Sequence, residues 1–531
     1  MRTIRLSSIL VHGLGAALFT NCGGDTEKAP DSGTGGTTAR GGTGGTGKGG
    51  SSGKGGSGGD SGEGGEGASP SDAGSGGSGA TGGSTGGTGA SAGVGGDNDG
   101  GTGNEGTTDY CTLPWSEPAA NDACDLEALE DGGVVLSGDI TADLTLEGNK
   151  SYVLSGPTRV MPGVKLTIEP CVKIMGDGPT SVLAVLAGDD GDNDPDTHGE
   201  PGPGGQIEAI GEADRPIVFT SKEPVGERQA GDWGGVILLG NGYVNSWDTL
   251  LDVPPTAEGL VAAQPYGWKT DAFNDDSSGT LRYVRIEFVG REITTDNETN
   301  GLTLGGVGSG TTLDHIMVSH SIDDCFEWFG GAVNANYLVA SDCDDDMFDS
   351  DAGFSGKVQF AFGRQGDQTA ETDPSGFEMD GKSPEYTSAQ WSNVTLCGGR
   401  DQSNNIGMVL RKGLAGSIMN ALVTGFETGL ALRDGSSVSV SNTVLFDNAV
   451  PLGSIDSQSW FLEEQTGNSV DGPAGFCDCW AALPVPFFKK APEGGEPTGF
   501  PVDDASYRGA FADASVEANW MNAPWVNFAD D

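Results

Sequence analysis

The sequence is poor in basic residues, poor in histidine and without a long apolar run. Its 531 residues hold 27 Lys and Arg against 77 Asp and Glu, a formal net charge of −50, and only 4 His. A chain with this charge repels nucleic-acid phosphates and anionic lipid headgroups, so nucleic acid is excluded as a partner. Because no apolar run reaches the roughly 20 residues of a membrane-spanning helix, any membrane attachment must use another device.

The apolar run at residues 9–19 follows two arginines and ends shortly before Cys22. This order resembles a bacterial lipoprotein signal, in which the cysteine becomes the acylated first residue of the mature protein. Residues 1–22 are therefore predicted to be a signal peptide with its acylated cysteine. The resemblance implies an outer-membrane lipoprotein at the cell surface, attached to the membrane through its N-terminal lipid only. Asn21 stands where such signals carry Ala or Gly, which leaves an ordinary secretory signal, and a secreted protein, as the alternative.

Many of the 93 glycines of the chain lie in residues 23–108, together with Ser, Thr and scattered charges. Almost no apolar side chain is available for burial there, so the segment cannot offset its conformational entropy and is predicted to be a disordered linker. A coil of this length spans on the order of 50 Å root-mean-square. Such a linker holds a folded part away from the membrane, which favours a role at the cell surface.

From residue 109 onward the chain shows short alternating β-branched runs, such as KLTIEP, VKIMG, PIVFTS and GVILLG, bounded by Gly, Pro and Asp. Runs of this kind predict strands, and no helix of ordinary length separates them. A ladder of short strands without helices favours a parallel β-helix over a βαβ sheet. A β-sandwich and a propeller also contain short strands, so the distinction needs a repeat.

The chain contains such a repeat, since GMVLRKG at position 407 returns as GLALRDG at position 429. One coil of a right-handed parallel β-helix takes about 22 residues, which is this period, whereas a propeller blade takes about twice as many. We therefore predict an all-β solenoid over residues 109–453, with an irregular C-terminal cap at 454–531 where the period is lost. Residues in step are expected in stacks inside the coil: Ile316 and Leu338, Ile418 and Val440, Leu422 and Val444.

Several segments also resemble a known family in their sequence and order: GQIEAIGEADRPIVFTS, GDWGGVILLG, SSGTLRYVRIEFVG and DDCFEWFGG. They are similar to a family of secreted or lipid-anchored bacterial β-helix surface proteins. The resemblance covers most of the chain from about Gly133 onward. It implies the fold and the location, and since that family has no settled activity it implies no catalytic residues.

An acidic stretch recurs with the same period: DDCFEWFGG begins at position 323 and DDMFDSDAG at position 345. Stacked carboxylates about 5 Å apart raise each other's pKa unless a cation lies between them. Calcium takes six to eight oxygen ligands and suits such a set. We predict a calcium site, and the alternative is a solvated acidic edge. The predicted ligands are Asp323, Asp324, Glu327, Asp345, Asp346 and Asp349.

Two further features carry predictions of their own. The loop with alternating acids at Asp190, Asp192, Asp194 and Asp196 is a second candidate calcium site, although it lacks the closing Glu of an EF-hand and also fits a solvated loop. Outside the cytoplasm, the nearby cysteines Cys111 and Cys124 predict a disulfide at the N-terminal end of the solenoid, with two unpaired thiols as the alternative.

These features together predict a surface-displayed, non-catalytic binding or structural module whose partner is a glycan of the cell envelope or extracellular space. The alternative is a calcium-dependent polysaccharide lyase that acts on acidic glycans. In a lyase the cation neutralises a uronate carboxylate while an arginine such as Arg364 or Arg411 accepts the proton. A β-helix fold alone does not decide between these functions.

Overall fold

The computed structural model describes Cys124, Leu126 and residues 133–189, 200–260, 262–294, 297–366, 374–382, 385–399, 403–472, 491, 493–500, 505–512 and 519–528. In these residues the strands are β1 (Val134–Ile140), β2 (Leu144–Leu146), β3 (Lys150–Val160), β4 (Lys165–Ile168), β5 (Val172–Gly176), β6 (Val182–Val185), β7 (Gln206–Ile210), β8 (Ile217–Ser221), β9 (Val236–Leu239), β10 (Gly279–Val289), β11 (Arg291–Thr294), β12 (Asn297–Thr299), β13 (Leu302–Gly305), β14 (Thr312–Ser321), β15 (Phe326–Phe329), β16 (Asn334–Ser341), β17 (Phe348–Asp351), β18 (Lys357–Arg364), β19 (Ser375–Asp380), β20 (Gln390–Cys397), β21 (Ile406–Arg411), β22 (Ser417–Thr424), β23 (Thr428–Leu432), β24 (Ser439–Ser441), β25 (Val444–Phe446) and β26 (Val450–Leu452).

All strands except the antiparallel pair β11–β12 belong to one 24-stranded parallel sheet, which winds into a solenoid with three sides. The first side contains β2, β4, β7 and the first halves of β10, β14, β16, β18, β20 and β22, followed by β24. The second side contains the second halves of those long strands, with β5 and β8 before them and β25 after them. The third side contains β6, β9, β13, β15, β17, β19, β21, β23 and β26.

The register of the strands confirms the parallel β-helix and its period. Phe326 of β15 pairs with Phe348 of β17, one period later in the chain. Where the chain inserts extra residues between coils, the step grows, so that Phe348 pairs with Phe377 rather than with the residue one period on. The extra residues fall between the end of β18 and the start of β19, so the strands themselves stay in register.

Aromatic and aliphatic side chains fill the inside of the coil. Phe326, Phe348 and Phe377 are fully buried in successive coils, and the rings of the first two stack with centroids 5.4 Å apart. The phenylalanines of the acidic stretches are therefore core residues, as their position opposite the acids in the strand predicts. Two of the apolar pairs in step are also inside: Ile316 with Leu338, and Ile418 with Val440.

Leu422 and Val444 are buried on the outside of the coil, so the prediction that they lie inside is wrong. They belong to an outer row of the second side that also includes Met317, Val339 and Phe362. Leu422 and Val444 recur with the period of the coil. Residues at inner and at outer positions of a strand both recur with this period, so the period does not tell the two positions apart. A row of apolar outer positions requires a cover.

The cover is the C-terminal strap, which we define as residues 505–512 and 519–528. The Asn393 side-chain amide donates to the carbonyls of Ala505 and Tyr507 at 3.0 and 2.7 Å. Further along, the ring of Trp520 lies 5.2 Å from Tyr337, and the backbone amide of Trp525 donates to the Ala213 carbonyl at 3.2 Å. The strap therefore runs along the second side in the direction opposite to the order of the coils.

The strap meets a column of residues at the corner between the first and second sides. Each coil turns there at a residue with a left-handed backbone, a conformation that non-glycine residues other than Asn and Asp rarely adopt. His315 stacks between Tyr283 and Tyr337, with centroids 4.4 and 4.3 Å away. The column consists of Tyr283, His315, Tyr337, Phe360, Asn393, Asn420 and Asn442.

The segment just after β26 lies at the end of the coil. A short helix, α1 (Ile455–Ser459), continues into a π-helical turn (Trp460–Glu464) whose Phe461 is fully buried against the last coils. The C-terminal part thus has two locations, one at the end of the solenoid and one along its second side. No helix among the described residues is both long and apolar enough to span a bilayer.

Cys124 forms a disulfide with Cys171, with their Cα atoms 5.2 Å apart, so the predicted pairing of Cys111 with Cys124 is wrong. Cys171 stands at a turn between coils. Its sulfur meets that of Cys124 there, beside Leu126, although the two cysteines are 47 residues apart. A second disulfide joins Cys325 and Cys343. Cys111 itself lies outside the described residues.

Candidate functional site

The predicted acidic site lies at the third side of the solenoid, where β15, β17 and β19 stack. Phe326 and Trp328 of β15 point inward, so Glu327 between them points outward. Glu327 pairs with Asp349, which in turn pairs with Glu378. Strand spacing of about 4.8 Å therefore places three carboxylates in one outer acidic row.

Two more acids lie in the turn that precedes these strands, and each has a structural hydrogen bond. Asp324 accepts from the backbone amide of Asp346 at 2.9 Å, and Asp346 accepts from that of Ser375 at 2.6 Å. Elsewhere in the solenoid the side-chain Oδ1 atom of Asn405 accepts from the backbone amide of Glu427 in the same way, at 2.7 Å. One oxygen of each aspartate therefore joins consecutive coils.

The carboxylates converge in two sets that share Asp324. Asp323, Asp324 and Asp345 form one set, and Asp324, Glu327 and Asp349 form the other; in each set the ligand oxygens lie within 4.8 Å of one another. We call these five residues the carboxylate cluster. The sixth predicted ligand, Asp346, belongs to neither set. The cluster is placed to hold a metal ion.

Burial makes the ionised form of these carboxylates unfavourable in free energy when no counter-charge is present. It raises the pKa of Asp324 well above its ordinary value, and the charges of Asp323 and Asp346 raise it further. Burial likewise raises the pKa of Glu327, with Asp349 next in effect. The pKa of Asp349 is raised by burial and then by Asp380. These groups are therefore either protonated or neutralised by a bound cation.

Uncharged oxygens without partners point to the same place. Asn300 is 2 % exposed, its amide nitrogen donates to a Glu327 carboxylate oxygen, and its own carbonyl oxygen has no hydrogen-bond partner in the described structure. The Oδ1 atom of Asp349 is also buried, and it too has no hydrogen-bond partner in the described structure. A buried oxygen without a donor is unfavourable unless a cation or another ligand satisfies it.

Asn300 did not enter the sequence prediction, although a signal existed. Leu302 of β13 pairs with Phe326 of β15, so Asn300 occupies in its coil the position of Asp324 in the next. Because Asn300 is not acidic and its coil is slightly longer than the repeat, the repeated acidic motif does not include it. Only the register of the strands aligns it with the cluster.

The outer acidic row ends in a set of ion pairs. Arg411 donates to Glu378 and, through Nε at 2.6 Å, to Asp380, while Lys412 Nζ lies 2.7 Å from Asp380. The Arg411 side chain is 9 % exposed. Burial raises the pKa of Asp380 to about 6 although Lys412 and Lys382 oppose the shift. Arg411 is thus engaged by carboxylates on two residues.

Arg364 is not near the outer acidic row. It ends β18 on the second side, donates to Asp342 at 2.8 Å, and its guanidinium lies 5.4 Å from the ring of Phe528 in the strap. The two arginines that a lyase mechanism would use are therefore on different sides of the solenoid, and both are in ion pairs.

The third side above the cluster is covered by an insertion, residues 240–268. Val244, Trp247 and Tyr266 pack on the outer apolar residues Leu239 and Phe329. These aromatic residues are buried and fill the space over apolar strands. The second candidate calcium loop, with Asp190, Asp192, Asp194 and Asp196, lies outside the described residues, as does Cys22.

Comparison with models of protein families gives a match over more than half of the chain. The model of a family described as a pectate-lyase-like beta helix domain matches residues 138–469, which begins in β1, contains every later strand and the carboxylate cluster, and extends past the π-helical turn. No curated protein and no solved structure matches the chain.

Proposed function

Because the chain belongs to the family of pectate-lyase-like β-helix domains, with which a polysaccharide-related role fits, we propose that it is a non-catalytic module that binds a glycan of the cell envelope or extracellular space. The observation that carries this choice is the pairing of Arg411 with Glu378 and Asp380. A general base must be available to accept a proton from the substrate, whereas a guanidinium held by two carboxylates is not. The same pairing is compatible with a fixed binding surface.

We further propose that the carboxylate cluster holds calcium. The support is its ligand chemistry: the carboxylates of Asp324, Glu327 and Asp349 and the carbonyl oxygen of Asn300 are all hard oxygens at one place. Calcium accepts six to eight oxygens in irregular geometry, while magnesium requires a nearly ideal octahedron and releases its waters reluctantly. The cation would join three consecutive coils at the third side.

Calorimetric titration of the chelator-treated full chain with calcium chloride and with magnesium chloride tests the cation. We expect saturable calcium binding, weaker magnesium binding, and loss of calcium binding in Asp349→Asn. Asp434→Asn is the matched control because Asp434 is an exposed turn residue of the same solenoid. Calcium binding that is equal in both variants would place the ion elsewhere.

Glycan binding and cleavage are separated by one set of measurements. The full chain is incubated with neutral and acidic polysaccharides, bound glycan is measured by co-sedimentation, and unsaturated-uronate absorbance is followed at the same time. We expect binding without absorbance. Absorbance that appears with wild type and disappears in Arg411→Lys would replace the proposal with the lyase alternative, since Lys keeps the charge and changes the base.

We propose that the glycan-binding solenoid is displayed at the cell surface by an acylated Cys22 and by the linker of residues 23–108. The support is the order of the N-terminal sequence, in which an apolar run too short to span a membrane leads to the cysteine. In Cys22→Ala the protein should move from the membrane fraction to the soluble fraction, and labelled fatty acid should no longer be incorporated. An unchanged membrane association in this variant contradicts the lipid anchor.

A further inference from the structure

A turn of the insertion over the third side lies directly beside the carboxylate cluster. The turn contains Glu258 and Gly259, and Gly259 has a left-handed backbone with φ of +73°. A Cβ atom on Gly259 would lie 1.8 Å from Thr299 Cγ2 and 3.4 Å from the Glu298 carbonyl oxygen. A larger residue has no room at this position, so glycine allows the turn to pack closely on the end of β12.

This contact brings Glu258 to the predicted ligands. Thr299 directly precedes Asn300, whose side-chain amide donates to a carboxylate oxygen of Glu327. Burial raises the pKa of Glu327 most, the charge of Asp349 has the next largest effect, and the charge of Glu258 follows, ahead of that of Asp323. A carboxylate from the insertion therefore acts on Glu327 more strongly than Asp323, which is a member of the cluster.

The backbone around the turn is held by hydrogen bonds within the insertion. The amide of Ala257 donates to the Gln264 carbonyl at 2.9 Å, and the amide of Tyr266 donates to the Pro255 carbonyl at 3.1 Å. Ala257 is buried with Leu239 and other outer apolar residues of the third side, and Glu258 beside it is half-buried. The packing of the insertion thus brings a carboxylate towards others of the same charge, which is unfavourable without a counter-charge.

Buried oxygens without donors lie where the turn meets the cluster. Thr299 is 3 % exposed, and its Oγ1 atom has no hydrogen-bond partner in the described part of the chain. The Oδ1 atom of the adjacent Asn300 also lacks one. Such oxygens are unfavourable unless a donor or a cation satisfies them. Calcium takes six to eight oxygens and accepts neutral as well as charged ones.

We propose that Glu258 is a further ligand of the cation at the carboxylate cluster, and that the cation thereby fastens the insertion to the solenoid. This inference rests on the proposed calcium site and adds a ligand from outside the repeating coils. Without the ion, the carboxylates of Glu258 and Glu327 repel each other; with the ion, both bind the same charge. The insertion is therefore held more firmly in the calcium-bound protein than in the free protein.

Calorimetric titration with calcium chloride compares the chelator-treated full chain with its Glu258→Gln variant. The variant should lose at least about tenfold in affinity, because calcium affinity depends on the number of charged ligands. Glu227→Gln is the matched control, since Glu227 is an exposed glutamate in a different loop, and it should bind like wild type. Equal affinity in the two variants overturns the role of Glu258 as a ligand.

Terbium luminescence distinguishes a ligand from a nearby charge. Terbium occupies oxygen sites of the kind that bind calcium, and its emission lifetimes in light and heavy water report how much water is bound to the ion. In Glu258→Ala, water should fill the place of the lost carboxylate, so the ion should carry more water than in wild type. A lower affinity with unchanged bound water would mean that Glu258 acts through its charge alone, and would overturn the proposal.

Hydrogen exchange tests whether the cation fastens the insertion. The amides of Ala257 and Tyr266 are suitable reporters, because both are hydrogen-bonded within the insertion. Calcium should slow their exchange in wild type and in Glu227→Gln, and should have a smaller effect in Glu258→Gln. If exchange of these amides in wild type is the same with saturating calcium and with chelator, the cation does not hold the insertion.

The outcomes separate the further ligand from the site on which it rests. If wild type binds calcium, Asp349→Asn does not, and the Glu258 variants bind as tightly as wild type, the role of Glu258 is overturned and the calcium site stands. If wild type binds no calcium, the proposed calcium site fails, and the role of Glu258 fails with it.

Discussion

Asp324 accepts a backbone hydrogen bond and also contributes a carboxylate to the cluster, and a neutral residue could fill only the first of these roles. Its Oδ1 atom accepts the backbone amide of Asp346, a role that Asn405 performs for Glu427 in a later coil. Asparagine would thus satisfy the amide without bringing a second carboxylate beside Asp323. An ionised carboxylate at this buried position destabilises the solenoid unless a bound cation neutralises its charge.

The stability of the cation-free protein is expected to fall as the pH rises. The pKa values of Asp324, Glu327 and Asp349 are raised in the folded state, so the folded protein binds more protons than the unfolded one once the pH exceeds the ordinary values near 4. This contribution is full below the unfolded pKa and is lost as the pH rises through the folded pKa. Thermal unfolding in chelator between about pH 5 and about pH 8 measures it.

Calcium should reverse this trend, because it binds the ionised carboxylates and its stabilising effect therefore grows with pH. Asp324→Asn keeps the acceptor for the amide of Asp346 and removes one charge. In this variant the pH dependence in chelator should be weaker and the effect of calcium smaller, while Asp434→Asn should match wild type. An increase in the midpoint of chelated wild type over this pH range contradicts the assignment.

Removal of Arg411 should cost much more than removal of Arg433. Arg411 is buried between Glu378 and Asp380, and truncation to Ala removes the ion pair of Glu378 and leaves Asp380 with Lys412 alone, at a cost of about 3–5 kcal/mol in the free energy of unfolding. Arg433 follows at the equivalent exposed position of the next coil, so Arg433→Ala should change stability by less than about 0.5 kcal/mol. Urea denaturation of both variants provides the comparison, and equal losses would mean that the ion pairs contribute nothing.

Sequence reasoning at this scale succeeds where a residue and its partner share the period. Phe326 and Phe348 are one period apart and were predictable as a core stack. The contact of Asn300 with Glu327 and the pairing of Cys124 with Cys171 join residues that do not repeat. Such pairs depend on the lengths of the turns between strands, which the local pattern does not determine.

At the scale of elements, the strap is the feature that the sequence least anticipates. The loss of the period over residues 454–531 predicted a cap, and Phe461 of this part does lie at the end of the coil. The strap itself covers the side, because the outer row from Met317 to Val444 is apolar except at Thr395. A strand that is apolar on both faces indicates a cover but does not identify the segment that provides it.

Trp525 is expected to hold the far end of the strap. It is fully buried, its ring contacts Tyr283 and His315, and its truncation to Ala removes the largest side chain of that contact. We expect a loss of about 3–5 kcal/mol if the strap and the coils unfold together. Hydrogen exchange should then increase in β10 and β14, which the strap covers at this point.

The matched control is Trp460→Ala, which removes a partly buried tryptophan from the end of the solenoid. In this control the increase in exchange should be confined to the last coils near β26. Exchange that rises in β10 and β14 equally for both variants would show that the strap is not an independent contact.

At the scale of the whole molecule, the third side has eleven levels, from the second halves of β1 and β3 to β26. Ten steps of about 4.8 Å give a solenoid about 48 Å long. The period predicted this architecture well, since every coil repeats the same three strands. Coils enlarged by insertions, as between Phe348 and Phe377, could be recognised only as gaps in the period.

The net charge of −50 predicts a general response to salt that differs from the response to calcium. Like charges spread over one chain repel, and monovalent salt screens them by shortening the Debye length from about 30 Å at 0.01 M to about 8 Å at 0.15 M. Sodium chloride should therefore raise the unfolding midpoint in the presence of chelator, and Asp324→Asn should keep this response. If the unfolding midpoint of Asp324→Asn no longer responds to sodium chloride, the repulsion is confined to the carboxylate cluster.

The direction of the strap has a consequence for the order in which the protein is made. The coils precede the strap in the sequence, so Met317, Val339 and Phe362 stay uncovered until residues 505–512 and 519–528 pack on them. We therefore expect a fragment that is cut before residue 505 to expose this apolar row and to self-associate more readily than the intact chain.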